Sequence, residues 1–148
     1  MKFGMTYSTY PLVNQRICAW ERHGFWVNEG PAVLHRNGEI YLTFSASDTS
    51  AAYCMGMLEA GEGADLLDRA SWTKSRYPVL ASNEELGLYG PGHNSFTVDD
   101  ENGSPVCVFH ARTGKNTTGN PLYDGARHAY CLHVQFDENG RPIFTPDV

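Results

Sequence analysis

Glu29 follows the aromatic pair Phe25 and Trp26 and stands two positions before Pro31. A carboxyl in apolar surroundings keeps its proton to higher pH, because burial penalises the charged form. A carboxylic acid of that kind can give up a proton near neutral pH. His93 comes directly after Gly90-Pro91-Gly92, a run whose tight backbone lets an imidazole project into a narrow channel. Asn94 and Ser95 follow it and can orient the ring. Arg127 offers a guanidinium fork able to hold two hydroxyls or one carboxylate side-on, and Asp124 lies close to it in sequence. Ser45, Ser47 and Tyr89 add hydroxyls that can line a pocket wall. Cys18, Cys54, Cys107 and Cys131 are widely spaced and include no Cys-x-x-Cys pair, which excludes a zinc ribbon or thioredoxin motif.

The elements that must position these groups are β-strands. Ala32–Leu34, Glu39–Ser45, Tyr53–Leu58, Ser95–Val98, Pro105–Ala111 and His128–Phe136 are rich in Val, Tyr, Phe and Thr, and several alternate apolar with polar residues. Asn37-Gly38, Asn102-Gly103 and Asn139-Gly140 supply the left-handed conformations of tight hairpins. The segment Ala64–Ala70 predicts one short helical turn, capped by Asp65, with Trp72 packing back on it. Long amphipathic periodicity is missing, so the fold class is all-β.

The β unit repeats. Gly30-Pro31 opens a segment that runs through an Asn-Gly turn into Tyr41–Ala46, and Gly90-Pro91, sixty positions on, opens another that runs into Val106–Ala111. Tyr53-Cys54 has a counterpart in Tyr130-Cys131, seventy-seven positions on. Repeated antiparallel units of this size suggest propeller blades, of which four to eight normally close a ring. The sequence supplies about two to three four-stranded blades, read as a single domain over residues 1–148.

Composition narrows the function classes. Seventeen acidic against eleven basic residues give a formal charge of −6, which disfavours nucleic-acid backbones, and no run is long and apolar enough to span a membrane. A small neutral ligand fits better. The polar stretch after Lys2 contains no apolar h-region, so no secretory signal is read, the cytoplasm is the expected compartment, and buried thiols are expected in place of disulfides.

Three groups of motifs together resemble glycoside hydrolase family 43 over residues 20–148. They are Trp26–Leu34 with Gly38–Ser47; Tyr53–Leu58 with Ser71–Lys74; and Tyr89–Phe96 with Pro121–Asp124 and Arg127-His128. The resemblance implies a five-bladed β-propeller that cleaves terminal pentoses, α-L-arabinofuranosides or β-D-xylosides, from plant hemicellulose oligosaccharides with inversion. It aligns Glu29 with the general acid, and Arg127 with an arginine that contacts the sugar or a catalytic carboxylate. It aligns His93 with the axial histidine beside a hydrated calcium. A lone imidazole cannot satisfy calcium, which takes six to eight oxygens, so water would complete that shell. His93, Ser45 and Tyr89 are expected to border the sugar.

The resemblance extends only to the C-terminal half of such an enzyme. An inverting glycosidase needs a second carboxylate, about 6.5–9.5 Å from the acid, to activate water. The family carries that base on earlier blades. The expectation is therefore a homo-oligomer that completes the propeller, with a base borrowed from Asp48, Asp124 or another acid. The alternative is a carbohydrate-binding or inactive fragment.

Overall fold

A computed structural model describes residues 18–146. The first sheet is a four-stranded antiparallel meander of β1 (Asn28–Arg36), β2 (Glu39–Ala46), β3 (Cys54–Gly61) and the short β4 (Thr73–Lys74). The second contains β5 (Tyr89–Val98), β6 (Pro105–Arg112) and β7 (Arg127–His133), in that order. A two-stranded hairpin, β8 (Gln135–Phe136) with β9 (Pro142–Ile143), follows. The two larger sheets are consecutive blades of a partial propeller, and their first strands, β1 and β5, lie side by side.

Turn chemistry sets the meanders. Asn37 and Gly38, with φ of 52° and 80°, join β1 to β2 in the doubly left-handed conformation that matches strand twist. Gly103 and Gly140 take the same sign of φ in the other two Asn-Gly turns. The continuous strand expected over His128–Phe136 divides at Val134 into β7 and β8, with the Val134 N–H still bonded to Pro105 O of β6 at 2.8 Å. In the Ala64–Ala70 region the capped element is a 3₁₀ turn at Arg69–Ser71. Its cap is Asp68, which accepts from Ala70 N, while Asp65 closes a turn at Leu67 N. Trp72 does pack back, buried, with Nε1 donating to Leu66 O at 3.0 Å.

Alternation along β2 divides the core. Tyr41 turns with Met55 and Met57 toward the second blade, meeting Cys107, Phe109, Ala111 and Leu132. Phe44 and Ala46 turn the other way, joining Leu58, Ala60 and Trp72 in a second cluster. That far face is closed by the segment before β1. Trp20 stacks on Phe44, and Glu21 forms a buried ion pair with Lys74 at 2.5 Å. Burial of both charges requires this pairing, since a lone buried ion would cost several kcal/mol.

The Gly-Pro repeat is structural: Gly30 and Gly90 have φ of 56° and 60°, and both strands shift register nearby. The Tyr-Cys repeat is not. Tyr53 precedes β3, which starts at Cys54 opposite Ala46, whereas Tyr130 lies in the middle of β7 opposite Phe109. None of the four cysteines is in a disulfide; Cys54 and Cys107 are buried, Cys18 is half-buried and Cys131 is exposed.

Candidate active site

Glu29 enters β1 opposite Ser45, immediately before a bulge that runs to Ala32. A bulge turns the strand and re-aims the side chain at its edge. Gly30 is required at this point: beyond its positive φ, a Cβ would approach the His93 ring to 3.1 Å. The Glu29 carboxylate accepts a hydrogen bond of 2.6 Å from the Tyr53 hydroxyl. His93 reaches in from the second blade, with Nδ1 3.5 Å from the Tyr53 oxygen and 3.8 Å from Glu29 Oε1. The seam between the blades thus brings an acid, a phenol and an imidazole together.

Each member is held from behind. The Tyr53 ring is buried and stacked on His110, with centroids 5.4 Å apart and planes within 8°. It fits only because Gly92 lacks a side chain, since a Cβ there would lie 2.5 Å from Tyr53 Cε1. Burial, then the Glu29 carboxylate, pushes the Tyr53 pKa up, so the phenol stays a proton-bearing donor. His93 takes φ of 51°, and its N–H donates to the buried Ser45 hydroxyl at 2.6 Å. Thr43 Oγ1 donates to Asn94 Oδ1 at 3.0 Å, fixing the neighbouring residue of β5. His110 is pushed down to about 4 by burial first, then by the nearby charges of Arg127, His93 and Arg112.

The other expected residues fall at different distances from Glu29. Ser45 and Ser47 are fully buried, the first behind His93 and the second accepting from His23 N and donating to Trp20 O. Arg127 opens β7; its Nη2 donates to Leu122 O at 2.9 Å, and its charge acts on both Tyr53 and His110. Tyr89 opens β5 opposite Arg112 and makes no hydrogen bond to the cluster. Ser95 is exposed on β5 opposite Val108. The apolar cover that the sequence suggests for Glu29 is not formed: Phe25 and Trp26 are 62% and 67% exposed, and Pro31 is exposed. The reason is local. His23 and Val27 are tied to Asp48 and Ser47 by backbone bonds, which turns the intervening side chains outward, and Arg22 lies over the Trp26 ring.

Three contributors were not singled out by sequence reasoning. Tyr53 and His110 lie 24 and 81 positions from Glu29: Tyr53 reaches it from just before β3 in the same blade, and His110 stacks behind Tyr53 from the second blade. Arg112, fully buried, donates through Nη1 to Thr49 O at 2.5 Å and through Nη2 to Pro121 O at 2.9 Å. Its Nε stands 3.8 Å from Asp124 Oδ1. One cation therefore ties the loop that leads to Tyr53 to the loop that leads to Arg127. The signals were present but mute: the repeated Tyr-Cys pair, and a charged residue ending an apolar strand.

The residues present do not by themselves fit calcium. His93 offers one nitrogen, and no cluster of three His, Cys, Asp or Glu side chains occurs among the described residues. Calcium asks for oxygens. Asp48 and Asp124 are engaged locally, Asp48 with Ser50 and Asp124 with Ala126 N, Thr118 N and Arg112. Neither touches Glu29.

The architecture is a partial propeller with a carboxyl at the entry of one blade's first strand, faced by an imidazole on the next blade. Residues 5–142 match the family described as Glycosyl hydrolases family 43, and the chain belongs to that family. It is 48% identical over 132 residues to an extracellular exo-alpha-(1->5)-L-arabinofuranosidase of Streptomyces avermitilis, covering 89% of this chain and 27% of that protein. It is 45% identical to alpha-L-arabinofuranosidase 43 of Humicola insolens, covering 85% of this chain and 26% of that one. The crystal structure of alpha-L-arabinofuranosidase from Lactobacillus brevis superposes with a TM-score of 0.84 at 49% identity, over 88% of this chain and 40% of that chain. The chain thus spans about a quarter of these curated relatives (27% and 26%) and 40% of the solved structure. No helix among the described residues is long and apolar enough to cross a membrane. The cytoplasmic expectation rests on residues outside those described, and the name of the Streptomyces relative does not support it.

Proposed function

We propose that this chain is the acid-bearing part of a glycoside hydrolase that releases terminal pentoses from plant hemicellulose oligosaccharides. α-L-Arabinofuranosides are the first substrate class and β-D-xylosides the second. The observation that carries the reading is the Glu29 carboxyl, 41% exposed at the seam, with one oxygen bound to Tyr53 and His93 3.8 Å away. That group can reach a sugar oxygen while remaining fixed to the fold.

In the proposed reaction, the Glu29 proton passes to the glycosidic oxygen as the bond to the anomeric carbon breaks. Water adds to that carbon from the opposite face and gives its proton to a carboxylate base. The products are a free pentose of inverted configuration and a shortened oligosaccharide. Asp48 and Asp124 are engaged by Ser50 and by Ala126 N, Thr118 N and Arg112, so a base supplied from outside the described residues, about 6.5–9.5 Å from Glu29, is part of the proposal.

Self-association is part of the proposal. Ser95, Val108 and Cys131 align across the outer face of the second blade, with Ser95 and Cys131 exposed, and β7 presents an open edge. Open edges and bare faces favour association. An extracellular place of action suits such a substrate and agrees with the name of the Streptomyces relative. The second reading, a carbohydrate-binding or inactive fragment, is favoured by the chain's spanning only 27% and 26% of the curated relatives.

Turnover of arabino- and xylo-oligosaccharides by the wild type and Glu29→Gln tests both. Loss of turnover in Glu29→Gln supports the enzyme reading, and equal rates overturn the acid role. Saturable sugar binding without turnover in the wild type leaves the binding reading.

A further inference from the structure

We propose that Tyr53 is the positioning residue of the acid: its hydroxyl holds Oε1 of Glu29, which makes Oε2 the oxygen that carries and delivers the proton. The inference rests on the reading of Glu29 as general acid.

A carboxyl group has two oxygens, and only the one facing the leaving group can transfer its proton usefully. In a side chain free to rotate about its last bond, the two exchange. Here they are not equivalent. Oε1 accepts from Tyr53 at 2.6 Å, at the short end of the O–H···O range. Oε2 makes no hydrogen bond among the described residues. An oxygen already accepting a strong hydrogen bond is the poorer place for the acidic proton, so the proton resides on Oε2.

The phenol can perform this task because it has little freedom itself. Its ring stacks on the parallel face of His110 at 5.4 Å and packs against the bare backbone of Gly92, the cross-strand partner of His110. Two other groups lie near the hydroxyl among the described residues: His93 Nδ1, at 3.5 Å and too far for a strong bond, and the Ser45 hydroxyl, which already accepts from His93 N at 2.6 Å. The hydroxyl therefore stays on Glu29.

The same geometry favours the transition state over the ground state. As the proton leaves Oε2 for the glycosidic oxygen, negative charge spreads to Oε1, and the Tyr53 bond strengthens as that charge grows. No proton leaves Tyr53 at any point. An interaction that strengthens only during the chemical step raises kcat without tightening substrate binding.

Tyr53→Phe removes the hydroxyl and keeps the ring on its stack. With an arabino-oligosaccharide, kcat should fall about 10- to 100-fold while KM stays within about twofold, part of the 10²–10⁴-fold worth of a general acid. With a dinitrophenyl arabinofuranoside, whose leaving group needs little protonation, the rate should hardly change. Equal losses on both substrates, or a loss confined to KM, would overturn the inference. Crystal structures provide a readout that needs no turnover. Glu29 should show one conformer in the wild type and more than one in Tyr53→Phe; a single unchanged conformer in the variant overturns the proposal. Should the variant not fold, a wild-type complex with arabinobiose decides. Oε2 within hydrogen-bonding distance of the glycosidic oxygen supports the assignment, and Oε1 in that place refutes it. Glu29→Gln separates the two readings. If it retains turnover, the acid role fails. If it is inactive while Tyr53→Phe behaves as wild type, only the present inference falls.

Discussion

The two blades are built from the same repeated unit and finished to different degrees. In the first, β2 and β3 are covered on both sides, by the seam cluster around Met55 and Met57 and by the cluster around Phe44 and Trp72. In the second, Cys107, Phe109 and Leu132 are buried in the seam, while the opposite face carries exposed Ser95, Thr97, Ala129, Cys131 and His133. Glu29 belongs to the covered blade, and His93 and Arg127 to the half-covered one. The site thus takes its proposed proton donor from the blade with two packed faces, and its sugar-facing candidates from the blade with one.

The contrast is sharpest at Glu29 itself. Glu29→Ala should cost most of the 10²–10⁴-fold general-acid contribution on an oligosaccharide and much less on a dinitrophenyl glycoside. Azide, filling the vacated space, should restore turnover of the activated substrate by acting as nucleophile. Steady-state rates on the two substrate classes check this, and equal loss on both would assign Glu29 a binding or structural role.

The covered far face of the first blade depends on the Lys74–Glu21 pair. Lys74→Met leaves a buried carboxylate without its cation and should destabilise the protein by about 3–5 kcal/mol. Urea unfolding measures it. A loss below about 1 kcal/mol would mean that this face is no better closed than its counterpart.

Within the second blade, adjacent residues of β7 should behave oppositely. Leu132→Ala opens the seam core and should cost about 2–5 kcal/mol. Cys131→Ser, on the open face, should fall within about 0.5 kcal/mol. If Cys131→Ser instead weakens self-association seen by light scattering, the open face is an interface.

A further effect expected is a pH dependence at the seam. His110 has a folded pKa of about 4, below the 6.5 of a free imidazole, so the unfolded chain binds the extra proton first. Stability present above pH 6.5 should therefore decline as pH falls from about 6.5 toward about 4. The facing charges are Arg127, His93, Arg112 and Glu29. His110→Phe should flatten that part of the curve, and thermal melts across the range test it.

Sequence reasoning reached the strands and the seam glycines because both are local. Asn37-Gly38 can hardly be anything but a turn, and Gly90-Pro91-Gly92 signals close backbone approach. Glu29 and His93 were legible through their motifs. Tyr53 was not, because its value lies in a contact across 24 residues to Glu29 and a ring stack 57 residues away on His110. Arg112 was missed for a related reason. A terminal charge on an apolar strand looks like a surface residue until two loops fold over it. The solvent-facing Phe25 and Trp26 misled in the reverse direction: adjacency in sequence to Glu29 did not become cover for it.

Propeller blades are often treated as interchangeable cassettes, to be shuffled at the loops between them. Arg112 makes that boundary unusable here. Its guanidinium is rooted in β6, yet it grips Thr49 of the first blade as well as Pro121 and Asp124 of its own. A chimaera that exchanged either blade would leave an always-charged group buried with half its acceptors. The inheritable unit is therefore the pair of blades with the segments that close them, and recombination that preserves the fold should cut before Cys18 or after Phe144, not between Lys74 and Tyr89.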